Sequence, residues 1–296
     1  MSEIEGRIDR VREFHRYYTR HLGVLTDRYL GQDRPLGQAR LLFEIGAGAD
    51  VRQLRERLGL DSGYLSRLLR ALADQQLITV RAHPADGRVR VAELTDAGRA
   101  ERAELDRRSR DGVAELLGRL TDTERDELLD AQARIRRLLR RAALTVQPVP
   151  ADDPDARGCL RRYATELAGR FPEGYDPATL TPADQIDGTL LLAREDGRPV
   201  GCGLWVHLGE RTAEIRHLWV AADARGLGLG RRLLGALEDD AAAHGIRTVR
   251  LGTHGALAEA IGMYRAGGYR PIPAYGDSVY NQLAFEKTLA QPSQSS

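Results

Sequence analysis

Lysine and cysteine are almost missing from this 296-residue chain, which has Lys287 as its one lysine and Cys159 and Cys202 as its two cysteines. Two widely separated cysteines form no close-spaced metal motif, so we expect free thiols, no metal site and a reducing cytoplasm. No apolar run approaches about 18 residues, so no transmembrane helix is predicted. Charged residues occur throughout the first 30 positions, where a secretory signal would need an apolar segment.

Composition and length indicate an ordinary globular protein of two domains. Apolar residues make up 42% of the chain and charged residues 29%, and domains average roughly 150 residues. The net charge of +1 hides an asymmetry, because residues 1–145 carry +4 and residues 146–296 carry −3. A basic first half favours a polyanionic partner for that half.

A proline-rich segment, residues 144–154, separates two differently patterned halves. Before it, Thr121 and Glu124 form a capping box that predicts the start of an amphipathic helix. The prolines of the segment exclude a continuation of that helix. We therefore predict one domain over residues 1–145 and another over residues 146–296.

The first half contains the pattern of a helix-turn-helix followed by a wing. Residues 50–58 predict a short helix, Gly59 a tight turn, and Asp61 or Ser62 the cap of a second helix. The second helix carries inward-facing leucines at helical spacing, namely Leu65, Leu68, Leu69 and Leu72. Two predicted strands with a basic turn between them follow, over residues 77–94.

The capped helix 61–72, the wing residues 86–88 and the segment Leu94–Gly98 resemble the MarR family of transcriptional regulators, over about residues 10–140. The resemblance implies a homodimer formed by the first and last helices. It also implies that the second helix of the motif enters the major groove of duplex DNA and the wing the minor groove. The implied DNA contacts are Ser62, Gly63, Tyr64, Ser66, Arg67, Arg70 and, on the wing, Arg88. The alternative is a helical domain whose arginines are only solvated.

The second half contains a glycine-rich turn between a strand and a helix. Strands are predicted over residues 189–194, 199–206 and 212–220, and Arg225–Gly230 then leads into an amphipathic helix. Glycines at a helix N-terminus expose backbone N–H groups to a diphosphate, and the helix dipole adds attraction. A Rossmann dinucleotide site is the other interpretation, but its G-x-G-x-x-G spacing and its place after the first strand do not agree with this turn.

The turn reads R-x-x-G-x-G. With the strand Ala213–Val220, the helix 256–267 that contains Tyr264, and the closing strand 283–289, it resembles the GNAT family of acetyl-CoA-dependent N-acetyltransferases over about residues 146–290. The resemblance implies an α/β (α+β) domain with a mixed, mostly antiparallel sheet. The whole chain is thus predicted to be a mainly α-helical winged helix-turn-helix followed by this domain, with acetyl-CoA as the acetyl donor.

The resemblance also implies roles for individual residues. Glu214 takes the position of the base that deprotonates the acceptor amine, and Tyr264 that of the acid that protonates the leaving thiolate. A backbone N–H at Leu218 or Val220 would polarise the thioester carbonyl, in a split between the Glu214 strand and the next strand. The pyrophosphate would be held by Arg225, Gly226, Leu227, Gly228, Leu229, Gly230 and Arg231.

These residues also have structural interpretations. Glu214 can be a strand-edge carboxylate, and Tyr264 can be a packing residue of its helix. Because side chains alternate along a strand, we expect His217 on the face opposite Glu214. The loop 171–177 has aromatic and acidic residues suited to a cationic amine, and a plain connecting loop is the alternative.

Together the two halves predict a bifunctional protein, in which a DNA-binding dimer is joined to an acetyltransferase that acts on an amine. We favour a small-molecule amine, because the sequence shows no groove for a protein tail. Two alternatives stay open. One is a repressor whose second domain only senses acetyl-CoA or another ligand, and the other is an acetyltransferase whose winged helix only dimerises. The intact glycine turn with Glu214 and Tyr264 favours retained catalysis.

Overall fold

The computed structural model describes residues 3–22, 30, 34–83, 86–276 and 278–290, with residues 86–88 described by their backbone alone. The chain divides into two compact units, Met1–Glu127 and Leu128–Ser296. The division falls within the helix Asp122–Ala142. None of the described helices combines the length and the apolar content needed to cross a membrane.

The first unit is a winged helix. Its elements in chain order are α1 (Glu3–His21), α2 (Leu36–Ile45), β1 (Ala49–Asp50), α3 (Val51–Leu58), α4 (Ser62–Asp74), β2 (Ile78–His83), β3 (Asp86–Leu94) and α5 (Asp96–Gly118), and α6 (Asp122–Ala142) begins here. The three strands form an antiparallel sheet in the order β1-β3-β2. The hairpin β2–β3 follows the helix pair α3–α4, which confirms the predicted order of motif and wing.

Local capping chemistry explains the helix-turn-helix. The Asp50 carboxylate accepts the backbone N–H groups of Arg52 and Gln53 at the start of α3. Gly59 ends that helix in the left-handed region, at φ +63°, where a residue without Cβ is favoured. The Asp61 carboxylate then accepts the N–H of Tyr64 at 2.8 Å and begins α4. The four predicted leucines of α4 are buried, which leaves the opposite face of the helix exposed.

The second unit is a seven-stranded sheet with helices packed against it. Its elements after α6 are β4 (Leu144–Val149), α7 (Pro154–Arg170), β5 (Thr189–Glu195), β6 (Arg198–Gly209), β7 (Thr212–Val220), α8 (Leu229–Ala243), β8 (Thr248–Thr253), α9 (Ala258–Ala266), β9 (Arg270–Ile272) and β10 (Leu283–Thr288). The strand order is β4-β5-β6-β7-β8-β10-β9. Neighbouring strands are antiparallel except β7 and β8, which are parallel, so the sheet is mixed and mostly antiparallel as predicted.

The proline-rich segment of the sequence contains an edge strand. Helix α6 ends at Ala142, before the first proline of the segment. Within β4, pairing with β5 runs from Leu144 opposite Glu195 to Val149 opposite Leu190. Pro148 fits here because an edge strand needs no N–H on its outer side. The predicted domain boundary at residues 145 and 146 remains a prediction.

Strands β7 and β8 separate soon after they begin to pair. Their pairing runs only from Thr212 opposite Thr248 to Glu214 opposite Arg250, while β7 continues to Val220 and β8 to Thr253. Beyond Glu214, β7 and β8 are therefore separated by a V-shaped split, which is the split that the family resemblance implied.

Beyond the split, β10 lies between β8 and the edge strand β9 and carries the lysine of the chain. Lys287 on β10 pairs its Nζ with a carboxylate oxygen of Glu238 on α8. The same ammonium lies 5.5 Å from the centre of the Tyr269 ring, in a cation–π arrangement. The ion pair therefore connects β10 with α8.

Candidate active site

A cavity of 410 Å³ lies at the split between β7 and β8. Its walls come from β7 and β8, from α7 and the loop that follows it, from α9, and from the loop between β9 and β10. Glu214 and Tyr264, which the sequence put forward as base and acid, both line it. The volume is within the range of small-molecule sites.

Glu214 is held firmly at the cavity wall. The residue is 4% exposed, and one carboxylate oxygen accepts a hydrogen bond from Arg216 Nε at 2.6 Å. The other oxygen accepts the hydroxyl of Tyr275 at 3.1 Å. Arg216 follows Glu214 by two residues on the same face of β7, so the alternation of side chains along a strand could have indicated this pairing. Tyr275 lies 61 positions away in the chain, and no sequence pattern pointed to it.

Tyr264 is buried on α9 and keeps its proton at neutral pH. Its residue is 7% exposed, and burial raises the pKa of its hydroxyl to about 12, because the phenolate is poorly solvated there. A protonated hydroxyl at the cavity wall can donate a hydrogen bond or a proton to a group that gains negative charge.

His217 lies in the same cavity as Glu214, so the predicted opposite face is wrong. Strand β6 pairs Cys202 with Trp219 and Leu204 with Arg216, which leaves one extra residue on β7. This bulge interrupts the alternation of side chains, and His217 has a left-handed φ of +53° within it.

His217 is a neutral hydrogen-bond acceptor in this position. Burial lowers its pKa to about 4, since the imidazolium would lose its water, and nearby Arg216 acts in the same direction. Its Nε2 accepts the backbone N–H of Thr181 at 3.0 Å, so we assign the proton of the neutral ring to Nδ1. The ring thereby fastens the loop after α7 to the bulge of β7.

The glycine turn leaves an open cradle at the start of α8. Gly226 and Gly228 have φ of +76° and +79°, and a Cβ at either position would meet no atom within 4 Å. Gly228 caps α8 without a side-chain hydrogen bond. The first bond of the helix runs from Arg232 N–H to Gly228 carbonyl, so the preceding N–H groups point out of the helix. This arrangement fits the diphosphate of acetyl-CoA.

The other residues of the turn differ in packing and exposure. Gly230 allows α8 to approach α9, because a Cβ there would lie 3.2 Å from Met263 Sδ. Leu227 and Leu229 are buried, whereas Arg231 is exposed.

The side chain of Arg225 is fixed by contacts with α7 and with the end of β7. A terminal nitrogen of its guanidinium lies 2.6 Å from both carboxylate oxygens of Glu166 on α7, and its Nε donates to the carbonyl of Val220 at 3.0 Å. The Arg225 charge is therefore already neutralised by Glu166, which also accepts Trp219 Nε1–H. The side chain acts as a brace between α7 and the end of β7.

The end of β7 has backbone groups that face the split. Ala221 N–H donates to the Val200 carbonyl at 2.9 Å, toward β6. Because backbone groups alternate along an antiparallel strand, the N–H of Val220 points the other way, toward the open split. Leu218 lines the cavity itself. Both predicted carbonyl-polarising positions therefore lie at the open edge of β7.

In the first unit, α4 presents the predicted DNA contacts on its exposed face. The predicted contacts on this helix are all exposed, namely Ser62, Gly63, Tyr64, Ser66, Arg67 and Arg70. The Arg67 guanidinium lies 5.7 Å from the centre of the Tyr64 ring. Arg88 belongs to β3 by its backbone, but its side chain lies outside the described residues.

Two family models match the chain in different halves. The Acetyltransferase (GNAT) family model matches residues 160–269, and the MarR family model matches residues 32–89. The IAA acetyltransferase of Azospirillum brasilense is 36% identical over 135 residues, which are 44% of this chain and 86% of that protein. The chain belongs to the GNAT family of acetyltransferases. It is a GNAT-type N-acetyltransferase, and the family uses acetyl-CoA as its acetyl donor.

Two further similarities are to a regulator and to a solved acetyltransferase structure. The uncharacterized HTH-type transcriptional regulator YdgJ of Bacillus subtilis (strain 168) is 32% identical over 84 residues, 28% of this chain, and the chain spans about half of that regulator, 51% of its length. A crystal structure of an acetyltransferase of the GNAT family from Staphylococcus aureus Mu50 is 16% identical, with a TM-score of 0.44, and covers 50% of this chain and 100% of its own.

Proposed function

We propose that the GNAT half transfers the acetyl group of acetyl-CoA to the amine of a small molecule. The observation that carries this proposal is that Glu214 and Tyr264 line one cavity of small-molecule size at the split of the sheet. Acetyl-CoA supplies the acetyl group as a thioester. The chain supplies binding, a proton acceptor and a proton donor.

The glycine cradle and β7 hold the donor in this proposal. Backbone N–H groups of Gly226–Arg231 and the dipole of α8 bind the pyrophosphate. The N–H of Leu218 or Val220 at the open edge of β7 donates to the carbonyl oxygen that gains charge during transfer. The brace of Arg225 to Glu166 keeps the turn in place without contributing a free charge.

Glu214 and Tyr264 handle the two protons of the reaction. An amine is protonated near neutral pH and must lose a proton before its nitrogen can attack, and the Glu214 carboxylate accepts it directly or through water. The Tyr264 hydroxyl donates to the thiolate as it leaves.

Conservative substitution of Tyr264 tests this function. In Tyr264→Phe the ring packing stays and the donor is lost, so kcat should fall by about 10²-fold, with little change in the KM for acetyl-CoA. The measurement is release of the CoA thiol with a panel of amines. Tyr269→Phe is the matched control, because Tyr269 is also buried but is not among the described lining residues. Full activity of Tyr264→Phe would remove Tyr264 from the mechanism.

We also propose that the winged helix binds duplex DNA. The specific observation is the exposed face of α4, where Arg67 and Arg70 lie beside hydroxyl and aromatic side chains while the leucines are buried. An exposed helix face with this chemistry suits the major groove. An electrophoretic shift with a pool of random duplexes tests it, and no salt-dependent binding in that pool would leave the winged helix without DNA as a partner.

A homodimer is part of this proposal. Helix α1 has no buried residue, although it carries a stripe of exposed apolar side chains, namely Ile8, Val11, Phe14, Tyr17 and Tyr18. Apolar side chains at helical spacing are stabilised by a partner that covers them. Sedimentation equilibrium should give twice the mass of the chain, and Phe14→Glu should shift the protein toward the monomer.

A further inference from the structure

Aromatic rings are concentrated on one wall of the active-site cavity, although aromatic residues make up only 5% of the chain. Tyr175 lies at the centre of this aromatic wall. Its ring centre is 4.8 Å from that of Tyr280, 5.9 Å from that of Tyr163 and 6.1 Å from that of Phe171. All four line the cavity, and the ring separations are those of mutually packed aromatic side chains.

Several polar atoms at this wall are already bonded within the protein. The Tyr280 hydroxyl accepts the backbone N–H of Asp176 at 2.9 Å. His254 stacks on Phe171 at 4.0 Å between ring centres. One ring nitrogen of His254 accepts the Ala256 N–H, and the other lies 3.0 Å from a Glu173 carboxylate oxygen. The wall therefore offers a ligand mainly ring surfaces, together with tyrosine hydroxyls.

Charge is scarce around the same cavity. Among its described lining residues, Glu214 is the one carboxylate, and Arg216 already pairs with it. A polyamine or an aminoglycoside carries several positive charges, each of which needs a partner when it is removed from water. The described lining offers one carboxylate, so it suits an acceptor with a single amine.

We infer that the acceptor is an arylalkylamine, in which a short flexible link joins one amine to a flat aromatic ring. The ring packs against Tyr175 and its neighbours, and the amine reaches Glu214 at the split of the sheet. Aromatic pairs stabilise each other beyond the area that they bury, and a wall of several rings adds such contacts. This inference rests on the proposed acetyl transfer and names its substrate class.

Three amines test the substrate class with the full-length protein. They are 2-phenylethylamine, its saturated analogue 2-cyclohexylethylamine, and spermidine, with CoA thiol release as the measurement. The kcat/KM for 2-phenylethylamine should exceed that for the cyclohexyl analogue by about 10-fold, and spermidine should be the poorest substrate. Equal or better use of either of the other two amines would overturn the arylalkylamine inference and leave the proposed acetyl transfer standing.

Variants of Tyr175 test whether the aromatic wall is responsible. Tyr175→Leu should raise the KM for 2-phenylethylamine by about 10-fold, with little change in kcat or in the KM for acetyl-CoA, while Tyr175→Phe keeps the ring and should raise that KM much less. An equal loss for 2-phenylethylamine and the cyclohexyl analogue would show that the wall does not recognise a ring. If no amine is acetylated although acetyl-CoA raises the melting temperature of the protein, the proposed acetyl transfer is wrong. The arylalkylamine inference, which rests on it, is then wrong as well.

Discussion

Helices α4 and α8 both begin at a turn and are both proposed to face phosphate, but their first turns differ chemically. The Asp61 carboxylate closes the start of α4 by accepting the Tyr64 N–H. The start of α8 has only Gly228, which supplies no side chain. One helix N-terminus therefore already carries a negative charge, and the other leaves its backbone N–H groups for an external anion.

Because of this difference, we expect α8 to bind phosphate through its backbone N–H groups and α4 to bind it through side chains. At α8 the backbone itself can bind a diphosphate, which needs a close approach and no cation. In the proposed DNA complex a phosphate near α4 meets a capped helix, so its attraction has to come from a guanidinium group such as that of Arg70. Acetyl-CoA binding should accordingly depend on glycine geometry, and DNA binding on arginine charge and on salt.

The largest effect is expected from a carboxylate in the open cradle. Gly228→Asp gives α8 the kind of cap that α4 has, and it places a negative charge where the pyrophosphate is proposed to bind. We expect the affinity for acetyl-CoA to fall at least about 100-fold, since charge repulsion adds to the lost N–H contacts. Isothermal titration, or the loss of the melting shift that acetyl-CoA produces, measures the change.

A control at the other end of the same helix separates this effect from backbone strain. Gly245 follows α8 with φ of +83°, and a Cβ there would meet no atom within 4 Å. Gly245→Asp should therefore destabilise the fold to a similar extent while acetyl-CoA still binds. Equal loss of binding in both variants, or full binding by Gly228→Asp, would mean that the start of α8 is not the phosphate site.

A smaller effect is expected at the exposed face of α4. Arg70→Ala should weaken DNA binding by about 1–3 kcal/mol. It should also reduce the dependence of affinity on salt, because fewer counterions are released from the DNA when one phosphate contact is missing. Arg67→Ala should reduce binding to a selected site more than binding to random DNA if Arg67 reaches base edges. Fluorescence anisotropy at several salt concentrations measures both.

An ion-paired arginine elsewhere in the same unit provides the comparison for α4. Arg110 on α5 is exposed and pairs with Asp106 at 2.9 Å. Arg110→Ala should leave DNA affinity and its salt dependence unchanged. If Arg110→Ala and Arg70→Ala weaken binding equally, the attraction comes from the overall charge of the unit and α4 has no special part in it.

The smallest effect concerns the cap that distinguishes α4. Asp61→Ala removes the acceptor for the Tyr64 N–H and should lower the free energy of unfolding of the winged helix by about 1 kcal/mol. Asp61→Asn keeps an acceptor and removes the charge, so it should retain most of the stability and bind DNA more tightly. Thermal unfolding and anisotropy measure the two quantities, and weaker DNA binding by Asp61→Asn would contradict the proposed role of the cap charge.

Features set by neighbouring residues could be predicted from the sequence. Of the two expected caps of α4, Asp61 is the one that serves, and Thr121 and Glu124 exchange the hydrogen bonds of a capping box. The glycine-rich turn lies between β7 and α8 as predicted. In each case the cause lies within a few positions of the effect, so a local pattern contains it.

Features set by strand register and by distant loops could not be predicted. The alternation rule misplaced His217, because the bulge of β7 becomes apparent only from its pairing with β6. Tyr275 and Tyr280 reach the cavity from a loop far along the chain, where a tyrosine has no distinguishing neighbours. The pairing of Arg225 with Glu166 likewise depends on how α7 packs beside the turn.

The ion pair of Lys287 with Glu238 has a practical consequence for an enzyme that acetylates amines. Lysine side chains on an acetyltransferase are competing acceptors, and their modification obscures slow transfer to a true substrate. Here the one lysine is held by a carboxylate, with 27% of its side chain exposed. Acetylated side chains found by mass spectrometry after incubation can therefore be traced to a single position, and added amines can be screened against a low background of self-modification.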